Sequence, residues 1–282
     1  PEARTLKERF PDAAPNSLGA IDDPDWPENT PDEQEMFSEA TSILARRGVA
    51  ESAADKDRRL DMLSSSSIEL RAAWTTQEAR SVEWAGLFLP DLDLDDSRSG
   101  IPQVISSSED IDSAAEALGV SKPIHKPSTA EWEAMRSQAS GVVEISAILE
   151  SNEKATKQLA RDYIPNLSML VGPLGAARLV VLAGGRERLA RMPSGSLQVL
   201  GATGAMAAHR RGAPPPKHSP VLFSIPLVSR SPRWVRGKVS RFLAGKCSIA
   251  VRVDHFDGEP WGDEQIAEIH REAEAIRDKF PK

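Results

Sequence analysis

With 282 residues, 40% of them hydrophobic and 27% charged, the chain has room for one large globular domain or two ordinary ones, each with its own core. A single cysteine, Cys247, excludes an intramolecular disulfide and suits a reducing compartment. No charged start, apolar core and small-residue cleavage site opens the sequence, so the expected location is cytoplasmic. The net charge of −7 is modest, but its distribution is uneven. Residues 1–160 hold 16 basic and 31 acidic residues, and residues 257–282 hold four and eight. Residues 161–256 hold 15 basic residues against three acids, Asp162, Glu187 and Asp254. A segment at +12 inside an otherwise negative chain predicts a surface for a polyanion. The competing reading is that these basic side chains pair with the acidic stretches.

Residues 1–36 are rich in Pro, Asp, Glu and Asn and read as an acidic, loosely ordered N-terminal segment. Residues 37–163 read as a helical arm. MFSEATSILARR forms a short amphipathic helix expected to end near Gly48. A long helix starts at about Glu51, with Leu60, Leu63, Leu70, Trp74 and Trp84 near heptad-like spacing, and stops at Leu89–Pro90 before the acidic loop DLDLDDSRSG. Residues 110–120 form a short helix closed by Gly119. Ser128 or Thr129 caps a second long helix reaching about Tyr163, with Trp132, Met135, Ala139, Val142 and Leu149 as its seam. Two long striped helices predict an antiparallel coiled coil, with a plain helical hairpin in a globular domain as the alternative.

Pro165 ends the arm, and residues 164–259 form a second body. Helical pieces are expected at 166–184, 186–192, 194–200, 202–211 and 231–253. The apolar run VLFSIPLV (221–228) is expected as a strand or an extended packed connector. The apolar stretch 167–185 approaches the length of a bilayer span, but Arg178 and its Gly and Pro breakers point to a packed core helix and no membrane. Residues 260–282 form an amphipathic helix with Ile266, Ile269, Ala273, Ile276 and Phe280 on one face. The expected fold class is therefore all-α, a long antiparallel coiled-coil arm followed by a helical domain.

Enzyme signatures are missing from the sequence. The glycines of GPLGAARLVVLAGG match neither GxGxxG nor GxxxxGK[ST] spacing. The five histidines share no metal-binding spacing, and one cysteine cannot build a zinc site. No GxSxG elbow is present, Cys247 sits in an apolar context, and DLDLDD lacks the EF-hand order. The expectation is a protein that is not an enzyme, with no catalytic residue, no bound metal and no cofactor.

Residues 195–241 carry the recognisable chemistry. Their basic residues fall in four groups separated by turns: Arg210 and Arg211, then Lys217, then Arg230, Arg233, Arg236 and Lys238, then Arg241. Such spacing can line donors along a bent phosphate backbone. The stiff Pro214–Pro215–Pro216 run presents Lys217 and His218 from a rigid rim, and His218 can stack on a splayed base or donate to a phosphate. Trp234 is expected to be buried against the helix below it.

The motifs IPNLSMLVGPLGAARLVVLAGG (164–185), LARMPSGSLQVLGATGAM (189–206), GAPPPKHSPVLFSIPLV (212–228) and SPRWVRGKVSRFLAGKCSIAVRVDHFDGE (231–259) stand in an order that resembles the Nop domain of archaeal and nucleolar scaffold proteins. The tail GDEQIAEIHREAEAIRDKFPK (262–282) extends the likeness, and the two long helices resemble that family's coiled-coil arm. The resemblance implies a non-enzymatic RNA-binding scaffold of a box C/D-type 2′-O-methylation guide ribonucleoprotein. It implies docking on a kink-turn guide RNA together with a small kink-turn-binding protein of ribosomal type. The implied RNA-binding residues are Gly201, Ala202, Lys217 and His218, with Arg233, Arg236 and Lys238 beside them, and Arg210 and Arg211 join them as basic neighbours. Self-association through the coiled coil and recruitment of fibrillarin are also implied. Three features depart from the family. Thr203–Gly204 stands where a charged pair is usual, and Ser219 stands where Gly is usual. The roughly 36 residues before the first helix are too few for the usual fibrillarin-binding domain. The alternatives are a Nop-domain protein of another particle, resembling a splicing factor, or a coiled-coil interaction module that does not recruit fibrillarin.

Overall fold

The structure, a computed structural model, describes residues 30–94 and 98–280. Most of the expected N-terminal segment, and Asp95 and Asp96 of the acidic loop, lie outside the described residues. Among the described residues every regular element is helical. The chain divides into two compact units, Pro1–Glu51 and Ser52–Lys282.

The first unit contributes α1 (Pro31–Ala53). Thr30 starts it: its hydroxyl accepts from Glu33 N, while the Glu33 carboxylate accepts from Thr30 N at 2.8 Å. The helix runs through Gly48, where the sequence suggested an end. A lone glycine costs a helix only about 1 kcal/mol, so it weakens the helix without stopping it. Asp55 makes the real break by capping the next helix through Asp57 N.

The second unit opens with α2 (Lys56–Phe88), α3 (Ile101–Ser107), α4 (Ile111–Leu118) and α5 (Thr129–Tyr163). Helices α2 and α5 lie antiparallel: Ser66 accepts from Asn152 at 2.9 Å, Arg71 meets Glu153 at 2.6 Å, and Gln77 accepts from Gln138 at 3.3 Å. Trp132, Met135, Ala139, Val142 and Leu149, the expected seam of α5, are all buried. On α2 the buried face is Leu60, Ser64, Glu78, Ser81, Val82 and Ala85, while Leu63, Leu70, Trp74 and Trp84 are only partly covered. Small residues in this face let the helices approach closely. At the far end α3, not anticipated from the sequence, and α4 close a separate small core. There Leu89, Ile101, Ile105, Ile111 and Ala115 pack against Trp132 and Met135. The expected ends are in place, Gly119 closing α4 at φ +71° and Ser128 with Glu131 capping α5; Asp110 and Ser113, expected inside the helix, cap α4 reciprocally.

The remaining helices are α6 (Pro165–Val171), α7 (Pro173–Ala183), α8 (Arg186–Arg191), α9 (Ser194–Gln198), α10 (Thr203–Arg210), α11 (Pro220–Ser224), α12 (Pro226–Ser229), α13 (Arg236–His255) and α14 (Asp263–Asp278). The single helix expected at 166–184 is two, bent by 116° at Gly172–Pro173, where Gly172 has φ +77°. No single helix among the described residues is long and apolar enough to cross a membrane. The bent pair α6–α7 is apolar because Leu167, Leu170, Ala176, Leu179 and Val180 fill the core. VLFSIPLV is neither strand nor extended: Pro220 and Pro226 each begin a short helix, where a missing N–H costs no bond. Helix α13 begins at Arg236, five residues later than expected, because Pro232–Val235 closes a turn first.

Helix α13 is the centre of the body, with Val239, Leu243, Ala244, Cys247, Ala250 and Val251 buried. Leu60 and Ala160 belong to the same core, so the base of the arm and the body share one hydrophobic interior. Burial pushes the Cys247 thiol up to about 12, as befits an inert structural cysteine. At the other end of α13 the buried Asp254 accepts from Asn166 N, Asn166 Nδ2 and Leu167 N at 2.8–3.0 Å, capping α6. Burial raises its carboxyl above the ordinary range, against the pull of those donors. Asp57 likewise caps α8, both its oxygens accepting from Arg186 N at 3.0 Å.

Candidate nucleic-acid interface

Helix α9 sets the geometry. The Gln198 side-chain amide donates to Lys217 O at 2.7 Å and to Gly237 O at 3.3 Å. One amide thus ties the loop after the three prolines to the first turn of α13. The two backbones come close: a Cβ on Gly237 would stand 3.4 Å from Lys217 Cβ. Between them opens a groove of about 620 Å³. Pro214–Pro216 and Lys217 form one wall, Trp234, Lys238 and Arg241 the other, and Ile276 of α14 closes one end. Among the described residues no carboxylate lines it. Lys217, Lys238 and Arg241 are exposed, and among the described residues none of the eight basic side chains from Arg210 to Arg241 is in an ion pair. Among the described residues, then, these charges do not pair with acids.

The anticipated residues are only partly gathered. Lys217 and Lys238 line the groove. His218 adjoins it, half-buried, its ring stacked on Phe223 with centroids 4.7 Å apart. Arg236 also meets Phe223, its guanidinium carbon 5.3 Å from that ring's centre. Gly201 and Ala202 shape the backbone behind: Gly201 has φ +79°, and a Cβ there would meet Leu182 Cδ1 at 2.9 Å. Arg210 and Arg211, at the end of α10, and Arg233 are exposed but do not line the groove.

Two expectations change. Trp234 is 49% exposed, not buried, with its indole Nε1 donating to Phe280 O at 3.0 Å. Lys238 lies over the same residue, its Nζ 2.9 Å from the Phe280 ring centre. Ser219 needs no glycine conformation, for its φ is −73°. It is fully buried and its hydroxyl accepts from Leu222 N at 2.9 Å, capping α11. Sequence reasoning missed Gln198, Phe223 and Ile276 and left Arg241 out of the site. The signal for Phe223 was a large apolar residue outside any clear periodicity; Gln198 carried none.

A NOP5 family protein of Methanocaldococcus jannaschii is 44% identical over 127 residues, which cover 45% of this chain and 30% of that protein. Nucleolar protein 56 of Homo sapiens is 35% identical over 128 residues, 45% of this chain and 21% of that protein. The chain thus matches less than a third of the length of these curated relatives. A chain in the crystal structure of a fibrillarin/Nop5p complex shares the fold, with a TM-score of 0.51 and 21% identity over 92% of this chain and 89% of that one. The family profile described as "Nop: snoRNA binding domain, fibrillarin" matches residues 95–275, well over half of the chain, and the chain belongs to the Nop family.

Proposed function

We propose that this chain is a non-enzymatic RNA-binding scaffold of a box C/D-type 2′-O-methylation guide particle. In this reading residues 37–163 are the arm, 164–259 the RNA-binding body and 260–282 a helix that closes it. The observation that carries the reading is the groove with three unpaired cations, Lys217, Lys238 and Arg241, and no acid. An isolated protein gains nothing by holding like charges together without partners, whereas a phosphate backbone rewards each one by releasing counterions. His218 adds a flat surface for an unstacked base. Gly201 and Ala202 shape the wall, and Arg210, Arg211 and Arg233 add positive charge outside it.

As the resemblance to the Nop family implies, the full target is a composite: a kink-turn RNA already folded by its small binding protein. Fibrillarin, named in the complex of the structural neighbour, is proposed as a further partner, and the arm as a self-association surface. Gel shifts with a kink-turn RNA, with and without the kink-turn-binding protein, test the reading. Binding is expected to need both components and to weaken steeply with salt. Lys217→Ala should cost roughly 1 kcal/mol or more if its contact is charge-assisted. Unchanged binding in Lys217→Ala would overturn the site. A fibrillarin pull-down separates the guide-particle role from that of another ribonucleoprotein.

A further inference from the structure

Phe223 is an apolar ring left 37% exposed on α11 between a histidine and an arginine. It stacks on His218 with the planes 17° apart, and the Arg236 guanidinium carbon lies 5.3 Å from its centre. The three planar groups are linked in one chain of contacts, here termed the ring column. Arg236 is anchored at its outer end: Nε donates to Ser231 O at 2.8 Å and Nη2 to Ser229 O at 2.9 Å, carbonyls at and just beyond the end of α12. At the inner end His218 is half-buried, with its Nδ1 enclosed and without a partner.

From this geometry we infer that Phe223 and Arg236 are positioning residues for His218, and that Arg236, although a cation in a basic segment, takes no phosphate. It works through the ring column to hold the imidazole as a preset platform for one unstacked nucleobase. The physical reason is division of labour among the donors. Lys217, Lys238 and Arg241 are exposed and in no ion pair among the described residues, Lys238 resting on the Phe280 ring, so their charges face solvent and can meet phosphates. Arg236 is half-buried, with two of its nitrogens committed to backbone. A histidine following three prolines would otherwise turn about its own side-chain bonds, and the entropy lost in fixing it would be subtracted from the stack. The inference rests on the RNA-binding reading of the groove.

The test is fluorescence anisotropy of a kink-turn RNA with its small binding protein present, on the full chain at several salt concentrations. Phe223→Ala and Arg236→Gln should each weaken binding about tenfold, the order of one lost base stack, with the wild-type salt slope. Lys217→Ala should flatten the log–log salt slope by about 1, as loss of one phosphate contact does. Phe223→Trp keeps a flat partner for His218 and should bind within about twofold of wild type, which separates lost stacking from lost folding. A slope flattened by Arg236→Gln as much as by Lys217→Ala makes Arg236 a phosphate contact and overturns the column while the RNA reading stands. Wild-type affinity in both Phe223→Ala and Arg236→Gln overturns it too. If Lys217→Ala alters neither affinity nor slope, the groove reading fails and the column falls with it.

Discussion

The arm and the groove treat charge in opposite ways. Along the arm, charges find partners: Glu78, only 5% exposed, accepts two donors from Arg98, Arg71 meets Glu153, and Lys126 meets Asp112. The deepest acid of the body, Asp254, is surrounded by N–H groups. In the groove the cations stand exposed and unpaired. Glu78, buried on α2, serves the fold through its pair with Arg98, because a buried charge left without its partner costs several kcal/mol. The groove's charges cost the fold little because water solvates them, and they remain available to a ligand. Where a charge has its partner therefore separates structural from binding residues better than the charge itself.

That contrast can be broken at several points, taken in order of expected effect on stability. Asp254→Asn turns one accepting oxygen into a donor facing the first N–H groups of α6. Unfolding in urea is expected to show a loss of about 3 kcal/mol. Glu78→Ala removes the acceptor of Arg98, which at 42% exposed can turn to water, so the same measurement should show a smaller loss, about 1–2 kcal/mol. Replacing Lys217, Lys238 and Arg241 together with Ala should leave stability within about 0.5 kcal/mol of wild type. The same variant should flatten the salt slope of RNA binding by about 3. A triple variant as damaged as Asp254→Asn would erase the distinction between the regions.

Cys247 offers the mildest probe. Burial lifts its pKa from 9.0 to about 12, so the folded chain holds this proton where the unfolded chain releases it. The thiol's contribution to stability is therefore complete below pH 9 and is lost as pH rises from 9 to 12. A thiol reagent at pH 8 should label the native protein only at the rate of opening, and rapid labelling would place Cys247 at a surface.

Local order was legible in the residues. The seam of α5 could be read from its spacing because helical periodicity puts those side chains on one face whatever they meet. The same holds for the caps at Asp110 and Ser128 and the left-handed Gly119, whose partners lie within a few residues. The helical nature of the chain and the concentration of positive charge in 161–256 follow from composition and pattern alone. Other features depended on contacts between distant residues. Pro220 and Pro226 start helices only because the body supplies a core for Val221, Leu222 and Val228 to enter. Of the basic residues in 201–241, the groove draws in Lys217, Lys238 and Arg241 and leaves out Arg210, Arg211 and Arg233. That choice is made by Gln198, bridging carbonyls 19 and 39 residues away. Periodicity reports which face a side chain occupies; which faces meet is decided when the chain closes on itself, because the energy that selects the pairing lies in packing and hydrogen bonds between residues far apart in the sequence.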